Sequence, residues 1–408
     1  MTSKVTGAVR RDNTTLHLGG DGDNWLMTWA ADYSQLTGLC DGSCLPGTPD
    51  DRLYNSHLYR AIGHPRNLRF EDVPGYPDVL IDILTAADPD NPPARYYGFA
   101  IIAVDGVTYQ FMSTFGPADL ESGETVHAFV GVKLIFSPDN GVTWHNQDGS
   151  TPVAFPTLAE QSRENLLFFH EPKETFVLLT ALQMGRDYSA NADGYVYLYA
   201  PNGIDEDTTA ELAMLRVPKD RIRDRSAYEY FVSRNADGSA NWSTDIEKRG
   251  ASHVFPAGWV NKHAHPYSWH PSVAYNEPLG IYLMANWGMA TGEDGCWFAA
   301  PTYLGFWTSP TPWGPWTQIH EETAWTPHGD QGARCYQPQI SPKWIAPDGK
   351  SFWLVWTDFQ SPGVDLSTEM VEISKTSKNM AEWIQRMMPL RPGYSFSVQK
   401  VDLITERS

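Results

Sequence analysis

Phe99-Ala100-Ile101-Ile102-Ala103-Val104-Asp105-Gly106-Val107-Thr108-Tyr109-Gln110-Phe111-Met112 is the stretch that decides the fold class. Two runs of aliphatic, β-branched and aromatic residues flank Asp-Gly. A two-residue hairpin turn needs positive φ at its centre, and Asp-Gly supplies it cheaply. The segment therefore predicts two antiparallel strands, Phe99 to Val104 and Val107 to Met112.

The same plan recurs outward along the chain. Trp25 to Ala30 is followed by Gln35 to Leu39. Leu166 to Phe169 turns through Glu171-Pro172-Lys173-Glu174 into Thr175 to Leu179, and Tyr195 to Tyr199 reads as a further strand. Ser272 to Tyr275 turns at Asn276 to Gly280 into Ile281 to Ala285, and Gln339 to Ile345 turns at Pro347-Asp348-Gly349 into Ser351 to Trp356. Helical periodicity is confined to Pro218 to Tyr228 and Ser377 to Met387, which read as short surface helices. Inner strand, tight turn, second strand, then a Trp-bearing turn is the weak self-similarity that a β-propeller leaves in sequence. A β-sandwich stack is the alternative. No Gly/Ser or Pro-rich linker divides the chain, so residues 1–408 read as one all-β domain.

Composition agrees with many short strands: 16 Trp, 19 Tyr and 17 Phe stand beside 33 Gly and 30 Pro. The formal net charge of −19 argues against nucleic acid, which needs a basic face. It leaves an anionic sugar open, because a local Arg cluster can override the global field. No apolar run approaches the ~18 residues of a membrane span, so no membrane partner is expected. Cys40 and Cys44 could close a local disulfide, leaving Cys296 and Cys335 as a second pair. With the sequons Asn13-Thr14-Thr15 and Asn241-Trp242-Ser243, this favours secretion. The start at Met1-Thr2-Ser3-Lys4 shows no signal-like apolar stretch, which leaves a cytoplasmic location open.

Ser137-Pro138-Asp139-Asn140-Gly141-Val142-Thr143-Trp144 fits S-x-D-x-G-x-T-W, the Asp box. It resembles the repeats of sialidases and other carbohydrate-active propellers, where it is structural and lies on the outer part of a blade. Phe306-Trp307-Thr308-Ser309-Pro310 with Pro312-Trp313-Gly314-Pro315-Trp316 resembles outer strands of glycosidase-type propellers. Further blocks resemble a family of bacterial and fungal propellers: Gly20 to Trp25 with Thr28-Trp29-Ala30, Val104 to Tyr109, Asp193 to Tyr197, Val217 to Ile222 with Asp224-Arg225, Tyr275 to Leu283, and Ser341 to Ile345 with Asp348-Gly349-Lys350. The resemblance covers most of the chain in matching order. Its relatives include a rhamnose–glucuronate lyase and, more distantly, arabinan-cleaving glycosidases. It implies seven blades; five is the alternative. Arg95-Tyr96-Tyr97 departs from the Lys-Pro-Ser-type start of that family's second inner strand.

Ligands of a propeller sit at the mouth of the central channel, so residues just before each inner strand are the candidates. These are Asp23 and Asn24; Tyr96 and Tyr97; Arg163 and Glu164; Arg186, Asp187 and Tyr188; His263, His265, Tyr267 and His270; and Arg334, Tyr336 and Gln337. Arg, His and Tyr outnumber carboxylates, which suits β-elimination at a uronic acid. An Arg grips the carboxylate, a base removes the C5 proton, and a donor assists the leaving oxygen. The expectation is a polysaccharide lyase. Arg186 or Arg334 holds the carboxylate, His265 is the base and Tyr188 the proton donor. Asp23, Trp25, Tyr97, Arg163, His263, His270, Tyr336 and Gln337 contact a uronate-containing oligosaccharide or polysaccharide. The rivals are a glycoside hydrolase pairing Asp23 with Glu164 or Asp187, and a non-catalytic sugar-binding propeller. The lyase reading requires no cofactor or catalytic metal. His263-x-His265 leaves a divalent cation open, and the protein is expected to be a monomer.

Overall fold

The computed structural model describes residues 3–48, 52–80, 94–205, 208, 210–256, 269–289, 300–360, 393–407 and scattered positions between 369 and 386. The strands of these residues form five antiparallel sheets, so the ring has five blades rather than the seven that the family resemblance implied. Blade 1 runs from Asp21–Asp23 and Met27–Trp29 through Gln35–Cys44 and Tyr54–Ile62 to Arg69–Asp72. Blade 2 is Tyr96–Val104, Val107–Asp119, Thr125–Ser137 and His145–Asn146. Blade 3 begins at Thr180–Ala181 and continues through Tyr195–Pro201, Glu211–Pro218, Glu229–Arg234 and Ala240–Ser243. Blade 4 is Ser272–Asn276, Ile281–Gly288, Tyr303–Ser309 and Thr317–Glu322.

Blade 5 closes the ring. Cys335–Ile345, Ser351–Gln360 and Gly393–Arg407 take their outermost partner from the other end of the chain, Ser3–Arg10, in the register Ser3↔Arg407 to Arg10↔Val401. Arg10 then clamps this strand to blade 4: its Nε and one terminal nitrogen reach the two carboxylate oxygens of Glu322 at 2.5 and 2.6 Å. Each inner strand touches the next around the axis: Met27–Trp29, Tyr96–Val104, Thr180–Ala181, Ser272–Asn276, Cys335–Ile345 and back to Met27–Trp29.

Blade 3 departs from the strands expected of it. Leu166 to Phe169 contributes only Phe168–Phe169, which pairs with Gly131 and Val132 as an appendage of blade 2. The expected strand Thr175 to Leu179 is irregular, because Lys173, Glu174 and Phe176 all have positive φ. Tyr195–Pro201 is thus a second strand and not an inner one. The helix expected over Pro218 to Tyr228 is two short 3-10 turns, Lys219–Arg221 and Arg225–Ala227. Ser377 to Met387 falls largely outside the described residues.

The Asp box sits where its chemistry requires, between Thr125–Ser137 and the outermost strand His145–Asn146. Asp139 accepts hydrogen bonds from the Ser137 hydroxyl, the Thr143 backbone N–H and the Thr143 hydroxyl, each at 2.8 Å. Trp144 is buried and meets Tyr76 of blade 1 edge to face at 5.2 Å. Arg60 of blade 1 donates to the Asn140 carbonyl. The motif therefore fastens two blades. Cys40 and Cys44 are free thiols rather than a disulfide. The strand bulges between them: Asp41 has positive φ, and the register against Asp21–Asp23 shifts. Cys296, its expected pairing with Cys335 included, lies outside the described residues.

Candidate active site at the channel mouth

The inner strands enter the ring from one end, and that end gathers polar and aromatic side chains from every blade. Asp23 closes its strand directly opposite Cys40. Its carboxylate accepts the Tyr336 hydroxyl of blade 5 at 2.8 Å and the Asn24 side-chain amide at 2.5 Å. Asp23, Asn24 and Tyr336 are each less than a tenth exposed. Asp41 follows Cys40 and accepts from Asn55 at 3.1 Å. Burial first, then the charges of Asp23 and Asp41, hold the Cys40 thiol well above its ordinary range. From blade 2, burial followed by the Asp41 charge raises the Tyr97 phenol, against a smaller lowering by Arg95.

An aromatic wall completes the mouth. Tyr336 meets Trp287 at 5.6 Å, Trp287 meets Trp269 at 5.7 Å, and Trp269 meets Phe99 at 6.0 Å. His270 packs on Phe99 at 4.5 Å and its Nδ1 lies 3.2 Å from the Thr180 hydroxyl of blade 3. Below this ring a small cavity runs down the axis, lined from all five blades by residues that include Leu26, Phe99, Thr180, Ser272 and Gln339.

Of the residues singled out in the sequence, Asp23, Tyr97, His270, Tyr336 and Gln337 lie at the starts of inner strands. Trp25 is fully buried between blades 1 and 5 against Phe396, a packing position. Arg163 donates to the carbonyls of Phe169 and His170 and braces that loop. Arg334 precedes the blade 5 inner strand, and one guanidinium nitrogen donates to the carbonyls of Gln331 and Ala333. His263, His265 and Tyr267 lie outside the described residues.

Arg186, Asp187 and Tyr188 lie at the opposite end of the channel. Both Asp187 carboxylate oxygens are 2.9 Å from the Gly106 N–H, in the turn that ends the inner strand Tyr96–Val104. That strand has 9 residues. At about 3.3 Å per residue its two ends are roughly 25 Å apart. Arg186 stacks on the Tyr33 ring at 4.0 Å. Tyr188 is buried in the core, and burial raises its phenol well above the ordinary range. Glu164 is exposed and sits in the Ser162 turn. Asp187, one of the two hydrolase partners named for Asp23, therefore does not accompany it, and Asp41 stands on the strand beside it. Trp287 and Asp41 escaped the sequence reading. Trp287 was findable: a second strand runs antiparallel to the first and so returns to the mouth.

Five blades around a mouth that carries Asp23, Asp41 and a belt of Trp and Tyr define a propeller with an acidic, aromatic channel entrance. The chain belongs to the DUF4185 family, a domain of unknown function, which matches residues 99–362. No curated protein matches the chain. Among solved structures it is similar to the catalytic domain of the GH62 α-L-arabinofuranosidase of Coprinopsis cinerea, at 9% identity over 98% of this chain and 92% of that one, TM-score 0.42. It is also similar to the GH43 endo-arabinanase of Bacillus licheniformis, at 9% identity over 96% and 97%, TM-score 0.41. The xylan β-1,4-xylosidase of Bacillus halodurans is similar at 8% identity over 85% of this chain and 50% of that one, TM-score 0.44.

The expected β-elimination is corrected by the geometry: Arg186 and Tyr188 lie a strand's length away from the mouth where Arg334 lies, so the carboxylate grip and proton donor expected of them are not assembled there. The similar structures bear the names of glycoside hydrolases. Among the described residues, no group of three or more His, Cys, Asp or Glu is placed to hold a metal ion.

Proposed function

We propose that this protein is a glycoside hydrolase whose reaction centre is the channel mouth around Asp23. The observation that carries the reading is Asp23 itself: a buried carboxylate oriented by two donors from two blades, Tyr336 and Asn24. Hydrolysis of a glycosidic bond needs one carboxylate to activate water and one carboxylic acid to protonate the leaving oxygen. A carboxylate that accepts two hydrogen bonds is held in its acceptor form, which suits Asp23 to the first role. Asp41, on the adjacent strand, is the candidate acid. Asp23 takes a proton from water as the water oxygen bonds to the anomeric carbon, the bond to the leaving oxygen breaks, and that oxygen takes the proton of Asp41. The Trp287, Trp269 and Tyr336 rings supply flat apolar faces suited to sugar rings.

The test is reducing-end release from arabinan, xylan and uronate-containing gums, with ultraviolet absorbance at the unsaturated-uronide band read in parallel. Reducing ends without absorbance are expected, and Asp23→Asn lowers the rate 10²- to 10⁴-fold. Rising absorbance, or full activity in Asp23→Asn, refutes the proposal. Sugar binding without turnover would make the propeller a lectin-like module.

A further inference from the structure

The second and third strands of blade 2 outrun the first. The inner strand begins its pairing at Tyr96, opposite Thr114. Beyond that level Val107–Asp119 and Thr125–Ser137 stay paired to each other, from Phe115↔Phe129 to Asp119↔Thr125. Five residues at about 3.3 Å each carry this hairpin roughly 16 Å past the start of the inner strand, on the mouth side of the ring. Val130 is skipped at its root, since Thr114 pairs with Gly131 and Phe115 with Phe129. A bulge of this kind bends a strand and re-aims its side chains.

Cross-strand partners share a face, and successive residues alternate between faces. One face of the hairpin carries Ala118, Ala128 and Val126, which pack with Ile204 in the loop after Tyr195–Pro201 of blade 3. The other face carries Phe115 with Phe129 and then Pro117 with His127, and so looks away from blade 3. Phe129 shows where it looks. Its ring centre is 5.7 Å from that of Tyr97 and 5.3 Å from that of Phe99, and it shares an apolar cluster with Cys40, Trp269, Trp287 and Tyr336. Pro117 and His127 form the next level on that face, and both are exposed. Two residues of strand place His127 about 7 Å above Phe129, one side-chain level beyond the mouth aromatics. The candidate acid Asp41 belongs to the same seam between blades 1 and 2, where its charge acts on Tyr97.

The acid of a glycosidase protonates the departing oxygen, so the departing sugar lies on the acid's side of the bond. We infer that His127 hydrogen-bonds the departing sugar of a glycan cut between Asp23 and Asp41, and that the projecting hairpin is the wall of that subsite; this rests on the hydrolase reading of the mouth. In its neutral form an imidazole offers one donor and one acceptor nitrogen, which matches the hydroxyls of a sugar. The substrate class is a glycan with a sugar on the leaving side, and a small aglycone leaves His127 idle.

The experiment compares wild type, His127→Ala and His127→Gln on xylo- and arabino-oligosaccharides and on the 4-nitrophenyl glycosides of xylose and arabinose. Melting temperatures and calorimetric titration with the oligosaccharides accompany the kinetics. His127→Ala raises KM on the oligosaccharides tenfold or more with kcat within twofold, the mark of binding shared by ground and transition state. On the nitrophenyl glycosides its kcat/KM stays within twofold, its melting temperature is unchanged, and His127→Gln recovers part of the lost KM. The inference is overturned if both kinds of substrate lose activity alike, or if His127→Ala melts several degrees lower. Oligosaccharide turnover by His127→Ala with wild-type KM refutes this inference alone. Oligosaccharide binding that His127→Ala weakens tenfold, in a protein without turnover, refutes the hydrolase reading and keeps His127 as a glycan contact. A protein that neither cleaves nor binds these sugars refutes both.

Discussion

Replacing Asp139 by Ala separates the structural from the chemical reading of the Asp box. The change removes three hydrogen bonds, from the Ser137 hydroxyl and from the N–H and hydroxyl of Thr143. In so exposed a turn each contributes about 0.5–1 kcal/mol net, or about 2 kcal/mol together. For 408 residues the unfolding entropy is about 0.9 kcal/mol per degree, so the melting temperature falls by about 2 °C. The pH dependence has a definite sign. Burial alone would raise the Asp139 carboxyl, but hydrogen bonds from Thr143, Ser137 and Val142 outweigh it and hold the group below the usual carboxylate range. A depressed carboxyl stabilises the fold above its unfolded value of about 4, and that contribution is lost as pH falls through the folded value. Scanning calorimetry of wild type and Asp139→Ala therefore gives the full gap at pH 7 and a shrinking one below pH ~4. Turnover at pH 7 stays within twofold. No gap at pH 7, a gap that does not shrink in acid, or a tenfold loss of turnover would each refute the structural reading.

Tyr336→Phe deletes the hydroxyl that Asp23 accepts at 2.8 Å. A buried hydrogen bond to a charged group is worth about 1.5–3 kcal/mol, so kcat/KM falls about 10- to 100-fold while circular dichroism is unchanged; an unaltered rate would detach Tyr336 from the reaction centre. Arg186→Ala, at the far end of the channel, leaves kcat/KM within twofold, and a large loss would place the reaction at that end. Glu322→Gln loosens the ring closure. Burial alone would raise the Glu322 carboxyl, but hydrogen bonds from His320 and Arg10 outweigh it and bring it down to about 2. The clamp then contributes about 2 kcal/mol after allowance for solvent screening, fully above pH ~4.3 and lost as pH approaches 2. Melting curves from pH 7 to 3 should show the variant's deficit narrowing, and a deficit constant with pH would rule out the ionic clamp.

What the sequence displayed was local. The turn at Asp105-Gly106, the hairpins of blades 4 and 5 and the Asp box all state their geometry within a dozen residues, and the structure has them where the residues put them. Blade number is not local, because the ring is closed by pairing Ser3–Arg10 with the last strand of the chain. Blade 3 shows how one error of phase reaches function. Tyr195–Pro201 is long and aromatic, whereas the true inner strand is only Thr180–Ala181. Taking the conspicuous strand as the inner one shifts the blade by half a hairpin and inverts its ends. Arg186 and Tyr188, which belong to the turn between the two strands, then count as mouth residues. Those two supplied half of the elimination chemistry. With them returned to the far end, the mouth is described by what remains there. That is a carboxylate held by Tyr336 and Asn24, a second at Asp41, and a belt of indoles.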